Sequence, residues 1–92
     1  SDLVLETQGL CHYLLGQHKE ALSTFKKMQI ETRTSLFYCA ACNKALGNDD
    51  IAKQMLKMAM SESEMTSEKF VSTQLFQEKK TSEELIAVLN SI

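Results

Sequence analysis

The sequence predicts an all-α protein, and three observations support that prediction. The 92 residues contain no proline, and no stretch alternates apolar and polar residues for long enough to indicate a strand. Strong helix formers such as Leu, Ala, Lys, Glu, Gln and Met fill the intervals between short polar breaks. Two Leu-Gly pairs, Leu15-Gly16 and Leu46-Gly47, mark helix ends, because many helices close on a left-handed glycine.

About six helices are predicted, arranged as antiparallel pairs because short connections force consecutive helices to lie side by side. The most polar segment, SESEM at 61–65, is predicted to be a loop. The predicted helices cover Leu3–Leu15, His18–Gln29, Thr34–Leu46, Asp50–Met60, Ser67–Glu78 and Ser82–Ser91.

Capping residues are predicted at three helix starts. Asp49 and Thr66 each precede an amphipathic run, and the side-chain oxygen of an N-cap accepts from the free N–H groups of the first turn. Thr81 and Glu84 form a T-x-x-E capping box for the last helix.

The chain repeats with a period of 31 residues when it is aligned on Gly16 and Gly47. Each repeat places small residues where two helices must approach closely and a large apolar residue beyond them. One such pair cannot bury its apolar face alone, so the pairs are expected to stack. The corresponding residues are Leu5 and Leu36, Gly9 and Ala40, Ala21 and Ala52, Phe25 and Leu56, and Met28 and Ala59.

GQHKEALSTFKKM resembles the G-x-Y-x-x-A-x-x-x-F-x-x-A signature of the tetratricopeptide repeat family, and GNDDIAKQMLKMA is similar to it. The resemblance implies one domain, residues 1–92, built as a short tetratricopeptide-like solenoid with units at about 3–30 and 34–61 and a weaker one at 66–92. Because the chain begins abruptly at Ser1, we expect it to be a fragment of a longer one. The signature positions are Gly9, Gly16, Ala21, Phe25, Ala40, Gly47, Ala52, Leu56 and Ala59.

Composition excludes several classes of function. A formal net charge of -2 argues against nucleic acid as a partner, because phosphate binding needs a basic surface. No apolar run approaches the ~20 residues of a membrane span. Three cysteines, an odd number, favour a reducing compartment, either the cytoplasm or the nucleus.

Cys39-Ala-Ala-Cys42 is the sharpest chemical motif, because C-x-x-C supplies two thiolates for zinc or for a redox pair. Cys11 and His12 offer two further ligands, but adjacent helical residues point about 100° apart. A redox C-x-x-C also needs its first thiolate at a helix N-terminus, whereas Cys39 is predicted in mid-helix. Cys11 and Cys42 occupy the same position in successive first helices, where a small apolar residue suits close packing. The favoured interpretation is therefore buried structural cysteine, with a metal site and a redox pair as alternatives.

No catalytic constellation emerges from the remaining polar residues, so we expect neither an enzyme nor a cofactor. His18 stands where the family has an aromatic residue and is predicted to be half-buried in packing. The carboxylates of Glu62, Glu64 and Glu68 are interpreted as solvated. Met55 and Met58 share a helical face and are interpreted as core rather than as adaptable binding surface.

The resemblance implies that the first helix of each pair lines a concave groove. The positions expected to face it are Leu3, Glu6, Leu10, Tyr13, Leu14, Phe37, Ala41, Lys44, Phe70, Gln74 and Gln77.

An apolar groove suggests a non-catalytic protein-interaction module that binds an apolar or amphipathic helical segment of a partner. Lys44 would then steer an acidic flank of that segment. The alternative is a structural role, in which the same face is covered by further helices of a longer array or by a second copy of the chain. The predicted contact residues are Leu10, Tyr13, Leu14, Phe37, Ala41 and Lys44.

Overall fold

The computed structural model of the chain describes residues 1–61, 66–72, 74 and 79–92. Within these residues it contains six α-helices and no strand, which confirms the all-α prediction. None of these helices is both long enough and apolar enough to cross a membrane. The helices are α1 (Asp2–Leu14), α2 (His18–Lys26), α3 (Arg33–Ala45), α4 (Asp49–Met60), α5 (Ser67–Ser72) and α6 (Lys79–Asn90).

The turns within the first two pairs are built in the same way. Gly16 has φ 77° and Gly47 has φ 82°, the left-handed region in which other residues are strained. In the first turn, the N–H groups of Gly16 and Gln17 donate to the carbonyls of Tyr13 and His12, both at 2.9 Å. The residues 31 positions later make the same two hydrogen bonds, which satisfy carbonyls that a helix end leaves free.

The start of α4 differs from its prediction by one residue. Asn48, not Asp49, is the N-cap, because the N–H of Asn48 already closes the preceding turn on Asn43 at 2.8 Å. The Asn48 side chain donates to Asn43 Oδ1 at 3.2 Å instead of capping α4. Asp49 is the first helical residue, where its carboxylate meets Lys44 Nζ at 3.4 Å.

Helix α2 ends at Lys26, earlier than the predicted Gln29, because Asp2 of α1 binds backbone N–H groups that follow the helix. The two carboxylate oxygens of Asp2 accept hydrogen bonds from the backbone N–H groups of Gln29 and Ile30, both at 3.0 Å. These N–H groups are therefore withdrawn from the helix and attach the end of the first pair to the start of α1.

Of the two remaining predicted N-caps, Thr66 is confirmed and Thr81 is wrong. Thr66 caps α5 through a 3.1 Å bond from the N–H of Lys69, as predicted. The capping box at Thr81 is wrong: α6 begins at Lys79, and Glu84 lies 3.9 Å from Lys80 Nζ, within the helix. Helix α5 ends at Ser72. Residues 73 and 75–78 of its predicted range, and 62–65 of the predicted loop, lie outside the described residues.

Small residues bring paired helices together at the repeat positions. Ala21, Ala40 and Ala52 are fully buried. A Cβ on Gly9 would lie 2.6 Å from the ring of Phe25, so α1 and α2 are as close as the missing side chain permits. This contact fixes the rotation of α1, whose opposite side must then face away from α2.

The third pair lies across the second. Helix α6 packs against α5 and also against α3. Leu85 and Leu89 of α6 are buried together with Phe70 and Val71 of α5 in the single core cluster of the described residues. The described part of the chain is accordingly nearly as deep as it is long, at 28 × 27 × 25 Å.

We expect Gly9→Ala to destabilise the fold by about 1–3 kcal/mol, because the new methyl group overpacks the Phe25 ring. Urea unfolding followed by circular dichroism measures the change. The double variant Gly9→Ala/Phe25→Leu is the control, since the smaller side chain makes room and should recover part of the loss. An unchanged free energy of unfolding in Gly9→Ala would contradict the close approach.

The Asp2 interaction predicts a pH dependence. The backbone N–H groups of Gln29, and then of Ile30, lower the pKa of Asp2 from its usual 3.8. A carboxyl with a lower pKa in the folded state stabilises that state above its unfolded pKa and loses this contribution as the pH falls through its folded pKa. We therefore expect Asp2→Ala to lower the Tm at neutral pH, and we expect this difference from the parent chain to shrink as the pH falls below 3.8. A Tm difference independent of pH would contradict this assignment.

Candidate interaction site

Two residues predicted to line the groove belong instead to the core. Phe37 and Ala41 are 0% exposed, because the chain's own last two helices cover this side of α3. The Phe37 ring stacks on Phe70 of α5 with centroids 4.1 Å apart and planes 14° from parallel. Phe70, another predicted groove residue, is buried as well. In this structure these side chains are therefore inaccessible to a partner.

Tyr38 is the centre of the aromatic contacts beneath the groove. Its ring meets Tyr13 of α1 edge-on at 5.3 Å and Phe70 edge-on at 5.6 Å, and it stacks on Phe25 of α2 at 6.3 Å. Its hydroxyl donates to Gln74 Oε1 at 2.8 Å. Burial raises the pKa of Tyr38, and it raises that of Tyr13 to about 12, so both phenols stay neutral.

The other predicted groove residues do not form one open surface. Leu10 and Tyr13 are half-buried against the core, and Lys44 pairs with Asp49. Leu14 is 48% exposed. Gln77 lies outside the described residues. His18 is half-buried against the ring of Tyr13, with centroids 5.7 Å apart, as its packing role predicted.

The cysteines separate into one exposed thiol and two buried ones. Cys39 and Cys42 lie in the middle of α3, and burial raises their pKa values to about 11 and about 12. Both are therefore neutral thiols and poor nucleophiles, which supports the structural interpretation of the motif. Cys11 is exposed on α1, contrary to its prediction as a packed residue at the repeat position of Cys42, because no described helix covers this side of α1. Across the described residues, no three His, Cys, Asp or Glu side chains come together as metal ligands.

A pocket of about 120 Å³ lies between α2 and α4, with α3 as its floor. Leu22, Ile51 and Met55 form its apolar walls, and Lys26 and Glu31 stand among its lining residues. Met55 is half-buried there, whereas its neighbour Met58 is 50% exposed and so is not core, contrary to its prediction.

The side of α1 that faces away from α2 is an exposed apolar surface that the sequence analysis did not predict, although Leu3 and Leu14 were expected to face the groove. Leu3 is 74% exposed, Val4 53% and Leu15, directly after the helix, 72%. The sequence signal was available, since apolar residues surround α1 on all sides instead of following one stripe. We define the α1 outer face as the six exposed residues that lie within about 60° of the direction opposite Gly9 on the helix, namely Leu3, Val4, Thr7, Cys11, Leu14 and Leu15. Gln8, which is also exposed, lies beside this face, at about 80° from the same direction.

The α1 outer face carries no charge. The ionisable side chains of α1 lie elsewhere: Asp2 holds two backbone N–H groups of the following segment, and His12 Nδ1 lies 2.7 Å from Gln17 Oε1. Glu6 is half-buried, and its charge contributes to the raised pKa of Tyr38. A helical face in water normally carries charged residues, so this one has the composition of an interface.

In the second repeat the first helix is α3, and the middle of its equivalent side is covered. Val4, Thr7 and Cys11 correspond in the 31-residue period to three residues of α3, all of them buried. These are Ser35, Tyr38 and Cys42. In α3 this side meets the preceding pair, α1 and α2. The middle of the α1 outer face is therefore the uncovered version of a surface that the fold buries between pairs, whereas Ala45, the equivalent of Leu14, is exposed in α3 as well.

Comparisons with family models, curated proteins and solved structures found no match for the chain. The tetratricopeptide-like interpretation accordingly depends on the chain's own repeat.

We expect one fast thiol in the native protein. With Ellman's reagent at mildly alkaline pH, Cys11 should react within seconds to minutes, whereas Cys39 and Cys42 should react only as the protein unfolds. Cys11→Ser is the control and should abolish the fast phase while leaving helicity unchanged. A second fast thiol, or stoichiometric zinc in the purified protein, would contradict the structural interpretation of Cys39 and Cys42.

Proposed function

We propose that the chain is a non-catalytic, tetratricopeptide-like protein-interaction module that binds a helical element of another polypeptide through the α1 outer face. The observation that supports this most directly is an uncharged face of α1 that exposes Leu3 and Val4 at one end and Leu14 and Leu15 at the other. Raised thiol pKa values at Cys39 and Cys42 accord with a role other than catalysis. The free thiols also suit a reducing compartment, and we propose the cytoplasm or the nucleus.

The energetics favour covering this face. Leu3, Val4, Leu14 and Leu15 together expose apolar surface on the order of 500 Å², the size of patch that often marks an interaction site. Burying it would contribute roughly 25 cal/mol per Å² before the costs of association are subtracted. A helix packed along α1 satisfies its own backbone hydrogen bonds and so removes water without new polar groups to satisfy.

The interaction surface thus differs from the one expected from the sequence. Leu14 belongs to both the expected groove and the α1 outer face, and Leu10 and Tyr13 flank that face. Binding of a partner helix within the groove itself would require α6 to leave α3, which would expose Phe37. We therefore place the partner on α1, outside the groove.

A structural role in a longer helical array is the second candidate. It is favoured by the correspondence with α3, whose equivalent side is buried against the preceding pair. In that case the helical element on α1 would be another repeat of the same kind.

The test compares two charge substitutions at apolar positions of nearly equal exposure. Leu14→Glu lies on the α1 outer face, and Met58→Glu lies on α4, with exposed fractions of 48% and 50% in the parent chain. We expect Leu14→Glu to weaken association, with itself or with identified purified partners, by at least about tenfold, and Met58→Glu to leave it unchanged. Association is measured by sedimentation or calorimetry. The proposal would be contradicted if Leu14→Glu associated as tightly as the parent chain, or if the parent chain did not associate at all.

A further inference from the structure

We infer that the α1 outer face binds a second copy of this chain, with the two α1 helices packed antiparallel about a twofold axis. The inference rests on the proposed function and adds the identity and the orientation of the partner. It is carried by the symmetry of the exposed residues, by their chemistry and by the area that they offer.

The α1 outer face is self-complementary. A twofold axis at the height of Gly9 places residue 3 opposite residue 15 of the other copy, residue 4 opposite 14, and residue 7 opposite 11. These six residues are the whole α1 outer face. At 100° per residue, each pair is also symmetric about one direction, which points directly away from the Gly9 side of the helix. Since Gly9 packs on Phe25, that direction points into solvent.

Each opposed pair is chemically compatible. Leu3 and Val4 of one copy meet Leu14 and Leu15 of the other, and Thr7 meets Cys11 at the centre, so no like charges are brought together. The central residues, Val4, Thr7, Cys11 and Leu14, are spaced three, four and three apart, which is the seam of a helix pair with knobs-into-holes packing. A twofold arrangement of this kind closes on itself and yields a dimer rather than a filament.

The area indicates a reversible dimer. Two copies of the face would bury ~1,000 Å² in total, at the lower end of what specific interfaces bury. We therefore expect a dissociation constant in the micromolar range.

The second repeat distinguishes a self-interface from simple stacking. In α3 the positions equivalent to Leu3, Val4 and Leu14 are small or polar: Thr34, Ser35 and Ala45. The surface of α3 that meets the first pair instead centres on Tyr38, the equivalent of Thr7, with these small or polar residues around it, and Leu46 stands at the position of Leu15. On α1 the bulky apolar residues lie at the two ends of the face and the smaller ones at its centre, an order that fits a helix–helix seam between identical chains.

The first experiment measures the mass of the 92-residue chain by sedimentation equilibrium from low micromolar to submillimolar concentration. We expect a monomer–dimer equilibrium with no larger species. Leu14→Glu should raise the dimer dissociation constant at least about tenfold, and Met58→Glu should not. A monomer throughout, an open series of larger oligomers, or a dimer unaffected by Leu14→Glu would each overturn the inference.

The second experiment tests the antiparallel register through disulfide formation between Thr7→Cys and the native Cys11 of the opposed copy. Under mild oxidation by copper–phenanthroline, Thr7→Cys should form a covalent dimer far faster than Ser23→Cys, which carries its added thiol at an exposed position of α2. Adding Cys11→Ser to Thr7→Cys should remove most of the cross-linking. Equal rates in Thr7→Cys and Ser23→Cys would overturn the antiparallel register.

Failure of the inference and failure of the proposed function are distinguishable. A chain that stays monomeric but binds another protein in a Leu14→Glu-sensitive manner retains the proposed function and refutes the second copy as partner. If Leu14→Glu weakens none of the chain's associations, both the inference and the proposed function are refuted.

Discussion

The structure depends on the burial of one tyrosine, Tyr38, where all three helix pairs meet. Its ring touches Tyr13 and Phe25 of the first pair and Phe70 of the third. A fully buried phenol needs a hydrogen-bond partner, because an unsatisfied hydroxyl in the interior costs about 1–3 kcal/mol. Gln74 supplies that partner, which connects the segment after α5 to the middle of α3.

This arrangement explains why the groove is filled. The side of α3 that carries Phe37 and Ala41 is too apolar to remain in water, and Phe70 covers it by stacking at 4.1 Å. Helix α6 then buries Leu85 and Leu89 over the same area. Helices α5 and α6 thus cover the side of α3 that the sequence predicted to be an open groove.

At the opposite end of the molecule, one side of the first helix, α1, is left uncovered. Gly9 allows α1 to approach Phe25 closely, and this contact orients the rest of the helix. Residues on the other side of α1 have no counterpart of the first pair to cover them, so Leu3 and Leu15 remain largely exposed. The covered side of α3 and the exposed side of α1 are the reason that we propose association along α1, by helix–helix packing.

The sequence by itself determined the helices, their pairing and the two glycine turns, because these follow from local periodicity and from backbone conformations that favour glycine. It also identified Cys39 and Cys42 as buried and the small residues between paired helices, although Cys11, which occupies the position of Cys42 in the period, is exposed. Tertiary structure alone decided which sides stay exposed. Thr7 and Tyr38 are equivalent in the repeat, yet one is exposed and the other fully buried. The difference arises because a preceding pair covers α3 and none of the described helices covers the same side of α1, and burial against distant residues is not encoded in local pattern.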